Sequence, residues 1–309
     1  MTKPAFAAVD WGTSSFRLWL MDEAGSVLAE RRSGEGMTSA AKTGFSPVLQ
    51  SHLQAVGAPA DLPVIVCGMA GARQGWIEAG YVDVPALLPA VLSGAVSVPG
   101  ESRSVHILPG LAQRSAEAPD VMRGEETQLL GALDGTAQSG DQVICMPGTH
   151  SKWVQVNGEN VSGFSTYMTG ELFEVTSKYS VLSHSLADAE PFAGDRPAFA
   201  EAVRAAFEAP QRLTNQLFTV RSGMLLAGLT PTDAAARLSG TLIGAEIAGG
   251  LSSSGSRPTT VRLVASGRLL GLYEGAFAAL SLPFSTIDAD DAVRTGLAAA
   301  ARQILPVHP

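Results

Sequence analysis

Three apolar runs open the chain, "AFAAVDW", "FRLWLMD" and "SVLAERR", each bounded by a polar or glycine-containing turn. Runs of this length read as strands, and Glu23-Ala24-Gly25 joins the second to the third as a hairpin. The spacing then changes. Val48, Leu49, His52, Leu53 and Val56 share one face of a helical wheel, which predicts a helix over residues 47–56 after the loop "SGEGMTSA". "LPVIVCGMAGARQGW" is a buried strand running into a glycine-rich loop. "SVHIL" is a further strand, and "RGEETQLLGAL" is helical from residue 125 to 133.

Residues 135–140, "GTAQSG", are small, polar and linker-like. After them the order restarts. "QVICMP", "KWVQV" and "NVSGFST" are again three strands, with "NGEN" as the second hairpin turn. Helical patterning follows over 170–181, 196–208, 211–229 and 232–251. The strand "TVRLVAS", a helix over 269–280, the strand "FSTID" and a helix over 291–305 close the chain. Aligning "VDWGTSSFRLWL" with "CMPGTHSKWVQV" pairs Gly12-Thr13 with Gly148-Thr149 and Ser15 with Ser151, close to half the chain apart. A duplicated α/β fold is therefore expected, divided into 1–135 and 136–309. Each half opens with an antiparallel three-stranded meander carrying a glycine turn, and the two turns are expected to face each other across a cleft.

Composition narrows the function classes. The 309 residues are 46% hydrophobic and 16% charged, ordinary for a folded globular chain. A net charge of −8 disfavours nucleic acid as a partner, because that binding needs phosphate-neutralising Lys and Arg. No apolar stretch reaches the length of a membrane span, and the opening apolar run stops at Asp10, too early for a signal peptide. Cys67 and Cys145 are read as buried thiols of a reducing compartment. A cytoplasmic location is expected, with small molecules as partners; a homodimer is compatible with this.

A Gly-Thr-Ser turn between strands presents backbone N–H groups and hydroxyls to a bulky anion. Gly12, Thr13 and Ser14, with Gly148 and Thr149, are thus candidates for cradling a polyphosphate. Asp10 ends the first strand where a carboxylate can hold a hydrated Mg²⁺. Arg17 is a candidate phosphate ligand, against the alternative of an ordinary strand arginine. His150 and Ser151 are sequence neighbours on an extended segment and point to opposite sides, so they are not a catalytic pair. Lys152 is read as a phosphate partner or an exposed strand residue. No Gly-x-x-x-x-Gly-Lys-[Ser/Thr] occurs.

"VDWGTSSFRLWLMD" resembles the first phosphate motif of the sugar kinase, actin and Hsp70 ATPase superfamily, and "MPGTHSKWVQV" its second. "TVRLVASGRLLGLYEGAF", with Ser266 and Gly267, resembles the adenosine segment, and "AVRTGLAAAA" the C-terminal connecting helix, where Gly296 permits close packing. Together with "VMRGEETQLLGA", "YMTGEL" and "LIGAEIA", these motifs resemble the 2-dehydro-3-deoxygalactonokinase family. The resemblance implies ribonuclease H-like (actin-like ATPase) domains, with the acceptor pocket in 1–135 and the nucleotide site in 136–309. It also implies ATP, Mg²⁺ and transfer to the terminal hydroxyl of 2-dehydro-3-deoxy-D-galactonate, in galactonate breakdown. Another sugar or sugar acid, or a regulatory ATPase, are the alternative readings. In related kinases the catalytic base opens the helix that here starts at "GEET", so Glu125 or Glu126 is the candidate, the choice left open. A carboxylate-bearing acceptor asks for Arg73 or Arg123, with Trp76 against its apolar face and Glu35 in the loop beside it. One departure stands out: the superfamily's second motif carries an Asp where this chain has Met146.

Overall fold

The opening runs form the strands Phe6–Trp11, Phe16–Met21 and Val27–Ser33, paired as an antiparallel meander. Val9, Trp11, Phe16 and Leu18 are wholly buried on one face, against the helix Phe45–Ala55 through Leu49 and Leu53. Ala8, Trp19 and Cys67 are buried with the closing helix Ala289–Ile304. The apolar strand Val64–Gly68 is buried along its whole length because it adds in parallel to Phe6–Trp11 and takes Val105–Ile107 in parallel on its other side.

These contacts belong to a computed structural model, which describes residues 3–134, 140–252 and 260–306. The chain divides into two units. One runs to Gly140 and includes Asn157–Gly163 and everything from Ala289; the other is Asp141–Val156 with Phe164–Asp288. Residues 135–139 of the expected linker lie outside the described residues. The closing helix, expected with the second half, packs in the first unit against the helix Glu125–Leu133.

The second sheet repeats the strand order of the first. From the edge inward the first sheet runs Val27–Ser33, Phe16–Met21, Phe6–Trp11, Val64–Gly68, Val105–Ile107. The other, inward from a short edge strand Ala86–Leu87, runs Asn160–Tyr167, Ser151–Asn157, Asp141–Met146, Val261–Ala265, Phe284–Asp288. Its first three strands are adjacent and joined by short turns, which only antiparallel strands allow, and its last two are parallel. Each half is thus a ribonuclease H-like sheet. The helices Pro197–Glu208 and Pro231–Ser252 pack tightly in the second unit, where a Cβ on Gly240 or Gly244 would lie 2.5 or 2.3 Å from a backbone oxygen. Among the described residues no helix is long and apolar enough to cross a membrane.

Three short strands, Tyr81–Asp83, Gly110–Gln113 and Asp120–Met122, form a small separate sheet that the apolar pattern does not predict. The segment read as the loop "SGEGMTSA" also differs, since it leads into a helix, Met37–Thr43. That helix is seated on the first glycine turn: the N–H groups of Met37 and Thr38 donate to the carbonyls of Gly12 and Thr13 at 2.9 and 3.1 Å.

Gly296 makes one packing prediction. A Cβ there would lie 1.9 Å from the carbonyl oxygen of Thr127, and one on Gly131 would lie 1.9 Å from that of Ala292. Both obstacles are backbone, so relief requires the helices to part. Gly296→Ala is expected to destabilise the protein by about 1–3 kcal/mol, against the ordinary helix preference for alanine. Urea melts of the variant and the parent check this, and a gain in stability would show that the helices separate freely.

Candidate active site

In the first unit, strand register builds the site. Asp10 is paired with Cys67 on one side and Arg17 on the other, and Arg17 with Arg32 beyond it. Residues in register share a sheet face, so the four side chains form one row. The Arg17 guanidinium is held between two carboxylates, Asp10 and Asp290, the latter in the first turn of the closing helix. Arg32 reaches the other oxygen of Asp290 at 2.7 Å. Burial pulls the Arg17 pKa down, but Asp10 and Asp290 outweigh it and leave it raised. Arg17, expected as a phosphate ligand, is therefore committed to locking Asp10 in place.

Asp10 also accepts a long contact from the Cys67 thiol, 3.8 Å to Oδ1. Burial pushes that thiol up, with the charges of Asp10 and Glu126 adding, so Cys67 stays protonated. Gly68 follows at φ +90°, where a Cβ would lie 2.7 Å from the Trp11 carbonyl oxygen and 3.3 Å from Asp10 Oδ1. Only glycine lets the backbone pass so close. Gly124, at φ +107°, lies against Gly68 and starts the helix Glu125–Leu133. Beside Asp10, Thr13 and Ser14 are exposed, and Gly12 closes the turn through its N–H to the carbonyl of Ser15.

The two adjacent glutamates have different surroundings. Glu126 is 2% exposed, with its Oε2 accepting the N–H of Gly124 at 2.7 Å and its Oε1 the hydroxyl of Thr127 at 3.1 Å. Burial, then the charge of Glu125, raises its pKa from 4.5 to about 8 despite those bonds. Glu125 is half-buried and accepts the N–H of Arg123 at 3.0 Å. Environment separates the pair into one buried acid that keeps its proton at neutral pH and one side chain within reach of solvent.

The buried acid has a consequence for stability. The folded protein keeps a proton on Glu126 that the unfolded chain releases near its ordinary pKa of 4.5. Stability from this group is therefore fully present below that pH and is lost as pH climbs to about 8. At about 1.4 kcal/mol per pH unit the total is on the order of a few kcal/mol. Glu126→Gln, which stays neutral, is expected to flatten the decline between pH 5 and pH 8; equal slopes in urea melts of both proteins would refute the assignment.

The acceptor candidates are less alike than the sequence suggests. Arg73 is exposed and only loosely paired with Glu78, at 3.8 Å. Arg123 has both terminal nitrogens engaged by backbone, while its buried Nε has no hydrogen-bond partner among the described residues. Its guanidinium donates to the carbonyls of Ala79 and Gly80 at 3.2 and 2.9 Å and lies 4.4 Å over the Tyr81 ring. Trp76 stacks on Phe45 and meets Trp11 edge-on, so one of its faces belongs to the core. Glu35 is half-exposed and bonded at 2.8 Å to His52, which stacks on Phe16.

In the second unit, Gly148 and Thr149 occupy the corresponding turn. Gly170, the start of the helix Thr169–Tyr179, presses on it: a Cβ there would lie 2.5 Å from the Gly148 carbonyl oxygen. His150 turns outward to Glu171 while Ser151 is wholly buried, the opposite facing expected of neighbours in a strand. Lys152 is 4% exposed with its ammonium 3.1 Å from the His150 carbonyl oxygen, so the exposed-strand reading is corrected. A cavity of about 130 Å³ opens beside Gly148, lined among others by Thr169, Phe173, Leu242, Arg268 and Tyr273. Ser266 precedes the helix Gly267–Ala279, and its hydroxyl donates to Asp288 at 2.9 Å; Gly267 has φ +58°.

Two residues of this region, Glu246 and Tyr273, are absent from the sequence candidates. They lie inside the quoted segments "LIGAEIA" and "GLYEGAF" and meet in a buried hydrogen bond of 2.7 Å. Their signal was a glutamate within an otherwise apolar helical stretch.

The profile of the 2-keto-3-deoxy-galactonokinase family matches residues 10–300. The chain is 57% identical over 302 residues to a Rhizobium meliloti (strain 1021) protein named "Probable 2-dehydro-3-deoxygalactonokinase", covering 98% of both. It is 32% identical over 300 residues to the 2-dehydro-3-deoxygalactonokinase of Escherichia coli K12, covering 97% of this chain and 98% of that one. A crystal structure from Sinorhizobium meliloti that carries the same family name superposes with a TM-score of 0.94, at 57% identity, over 98% of this chain and all of its own. At 13% identity and a TM-score of 0.51, the activator of the 2-hydroxyisocaproyl-CoA dehydratase from Clostridium difficile shares the fold alone, over 98% and 99% of the two chains.

Proposed function

The chain belongs to the 2-keto-3-deoxy-galactonokinase family and is a sugar-acid kinase, and from that premise we propose how its residues transfer the γ-phosphoryl of ATP to the terminal hydroxyl of 2-dehydro-3-deoxy-D-galactonate. The observation that carries the assignment is the duplicated sheet with a glycine turn after the first strand of each copy, at Gly12 and Gly148. In the second unit, the Gly148–Thr149 turn binds phosphate oxygens and the adjoining cavity, with Arg268, takes the nucleoside. Ser266 and Gly267 shape the helix start beside it. In the first unit, Gly12, Thr13 and Ser14 offer N–H groups and hydroxyls to the phosphoryl being transferred.

Mg²⁺ needs only one or two carboxylates, because the substrate phosphates and water complete its shell. Asp10 fits that demand: it is a single carboxylate, fixed by Arg17, whose Oδ1 takes only a long contact from the Cys67 thiol, at 3.8 Å, among the hydrogen bonds of the described residues. When bound there, the ion neutralises charge on the phosphates. Glu125 is the general base. As the sugar-acid hydroxyl oxygen bonds to the γ-phosphorus, its proton passes to the Glu125 carboxylate, the bond to the bridging oxygen breaks, and ADP leaves. Glu126 is too buried to touch substrate. Arg73 and Glu35 meet the carboxylate and hydroxyls of the acceptor, with the free edge of Trp76 beside them.

ADP release in a coupled assay, run over a panel of keto-deoxy sugar acids with and without Mg²⁺, tests the reading. Turnover is expected to require both the metal and a six-carbon keto-deoxy acid. Hydrolysis of ATP that no sugar acid stimulates would sink it.

A further inference from the structure

The second unit holds a buried polar cluster that the transfer chemistry leaves unused. Glu246, on the helix Pro231–Ser252, is 2% exposed. Its Oε1 accepts the indole N–H of Trp153 at 2.9 Å and its Oε2 the hydroxyl of Tyr273 at 2.7 Å. The hydroxyls of Thr169 and Ser151 donate to the same carboxylate. Ser151 Oγ also lies 3.2 Å from the Tyr273 oxygen and accepts the N–H of Gly148 at 3.4 Å. Gly148, Thr169 and Tyr273 line the cavity beside the turn.

A buried carboxylate is an expensive way to pack a helix, and apolar replacement of such groups is often neutral or stabilising. Here it does something an apolar residue cannot. Burial raises the Glu246 pKa, and the hydroxyls of Thr169, Tyr273 and Ser151 with the Trp153 indole oppose that rise by donating to it. With four donors converging on its two oxygens, Glu246 is placed as the acceptor of the cluster and the proton directions around it follow. Tyr273 sends its single proton to the carboxylate. Ser151 sends its own to the carboxylate or to the Tyr273 oxygen. The lone pairs of Ser151 are left for the Gly148 N–H. Every bond in the chain then runs one way, from the glycine turn inward.

We propose that Glu246 is a positioning residue of the nucleotide site. Acting through Ser151 and Tyr273, it orients the Gly148–Thr149 turn and the adjoining cavity wall for a nucleoside polyphosphate. This rests on the reading of that turn as phosphate-binding. It also gives one physical reason for four separate motifs, since "THSKW", "YMTGEL", "LIGAEIA" and "LYEGAF" each contribute one or more residues to the cluster.

Steady-state kinetics of Ser151→Ala, Tyr273→Phe and Glu246→Gln test it. The first two remove one hydroxyl each with little change in volume; the third puts a donating amide in place of an accepting oxygen and reverses the chain. KM for ATP is expected to rise about tenfold in each, with KM for the sugar acid moving less than about twofold. Ser151→Ala combined with Glu246→Gln should raise KM for ATP no further than Glu246→Gln alone, because the two residues act in series. Thermal melts of the same proteins are run alongside. Lower melting with unchanged KM for ATP would make Glu246 a packing residue and overturn the proposal, and so would simple additivity in the double variant. Should Glu246→Gln fail to fold, the two hydroxyl deletions decide the matter by themselves. A wild-type protein that releases no ADP with any sugar acid would overturn the kinase reading and this proposal with it; an active wild type with insensitive variants overturns the proposal alone.

Discussion

Glu125→Gln is expected to lower kcat for sugar-acid phosphorylation by about two to four orders of magnitude while leaving KM for ATP close to the parent value. The amide matches the carboxylate in size and can still accept the N–H of Arg123, so the helix start keeps its geometry. What it loses is the capacity to take a proton from the attacking hydroxyl. Glu126→Gln is the matched control, because that side chain already carries its proton at neutral pH and is 2% exposed. Its kcat is expected to stay within about tenfold of the parent, a range set by loss of bonding at the helix start. The pair discriminates sharply: if Glu126→Gln is the dead enzyme and Glu125→Gln the active one, the roles are reversed. If both remain active, the base lies elsewhere.

This contrast shows where the sequence stopped being informative. Both glutamates satisfy the preference for acidic residues in a first helical turn, and nothing local ranks them. The ranking comes from tertiary burial, which leaves Glu126 2% exposed and Glu125 only half-buried. Local pattern did carry the strands, most helices and the repeat, since each rests on spacing within a few residues. Gly12 and Gly148 were legible for the same reason. The partner of Arg17 was not, because Asp290 is 273 positions away and reaches it only when the closing helix joins the first unit. Glycine at 131 and 296 is the trace that crossing leaves in the sequence, and a glycine inside a helix has many readings. Glu246 is a similar case: its bonds to Trp153 and Tyr273 span 93 and 27 positions. The small sheet was missed because its strands of three or four residues show no alternation long enough to register.

Asp10→Asn is the other substitution with a large expected effect, a fall in kcat of about 100- to 1,000-fold that saturating Mg²⁺ does not restore. Two losses combine. The amide withdraws the charge that a divalent cation needs, and it breaks the ion pair that ties Asp10 to Arg17. Arg17 keeps Asp290, and Arg32 holds the other oxygen of that carboxylate, so the row across the sheet survives and the fold with it. A near-unchanged melting temperature is therefore part of the expectation. Metal-free nucleotide affinity, read by calorimetry with ADP, should also hold, because the cavity beside Gly148 lies wholly in the other unit. The substitution thus separates metal positioning from nucleotide binding. Met146 sharpens the point: where the superfamily's second motif carries an Asp, this chain has a buried thioether, 3% exposed, which is no ligand for a hard cation. No second carboxylate at that position is available to take over. Near-normal kcat in Asp10→Asn at high Mg²⁺ would mean that the phosphates and water hold the ion unaided, and Asp10 would then be reduced to the anchor of Arg17.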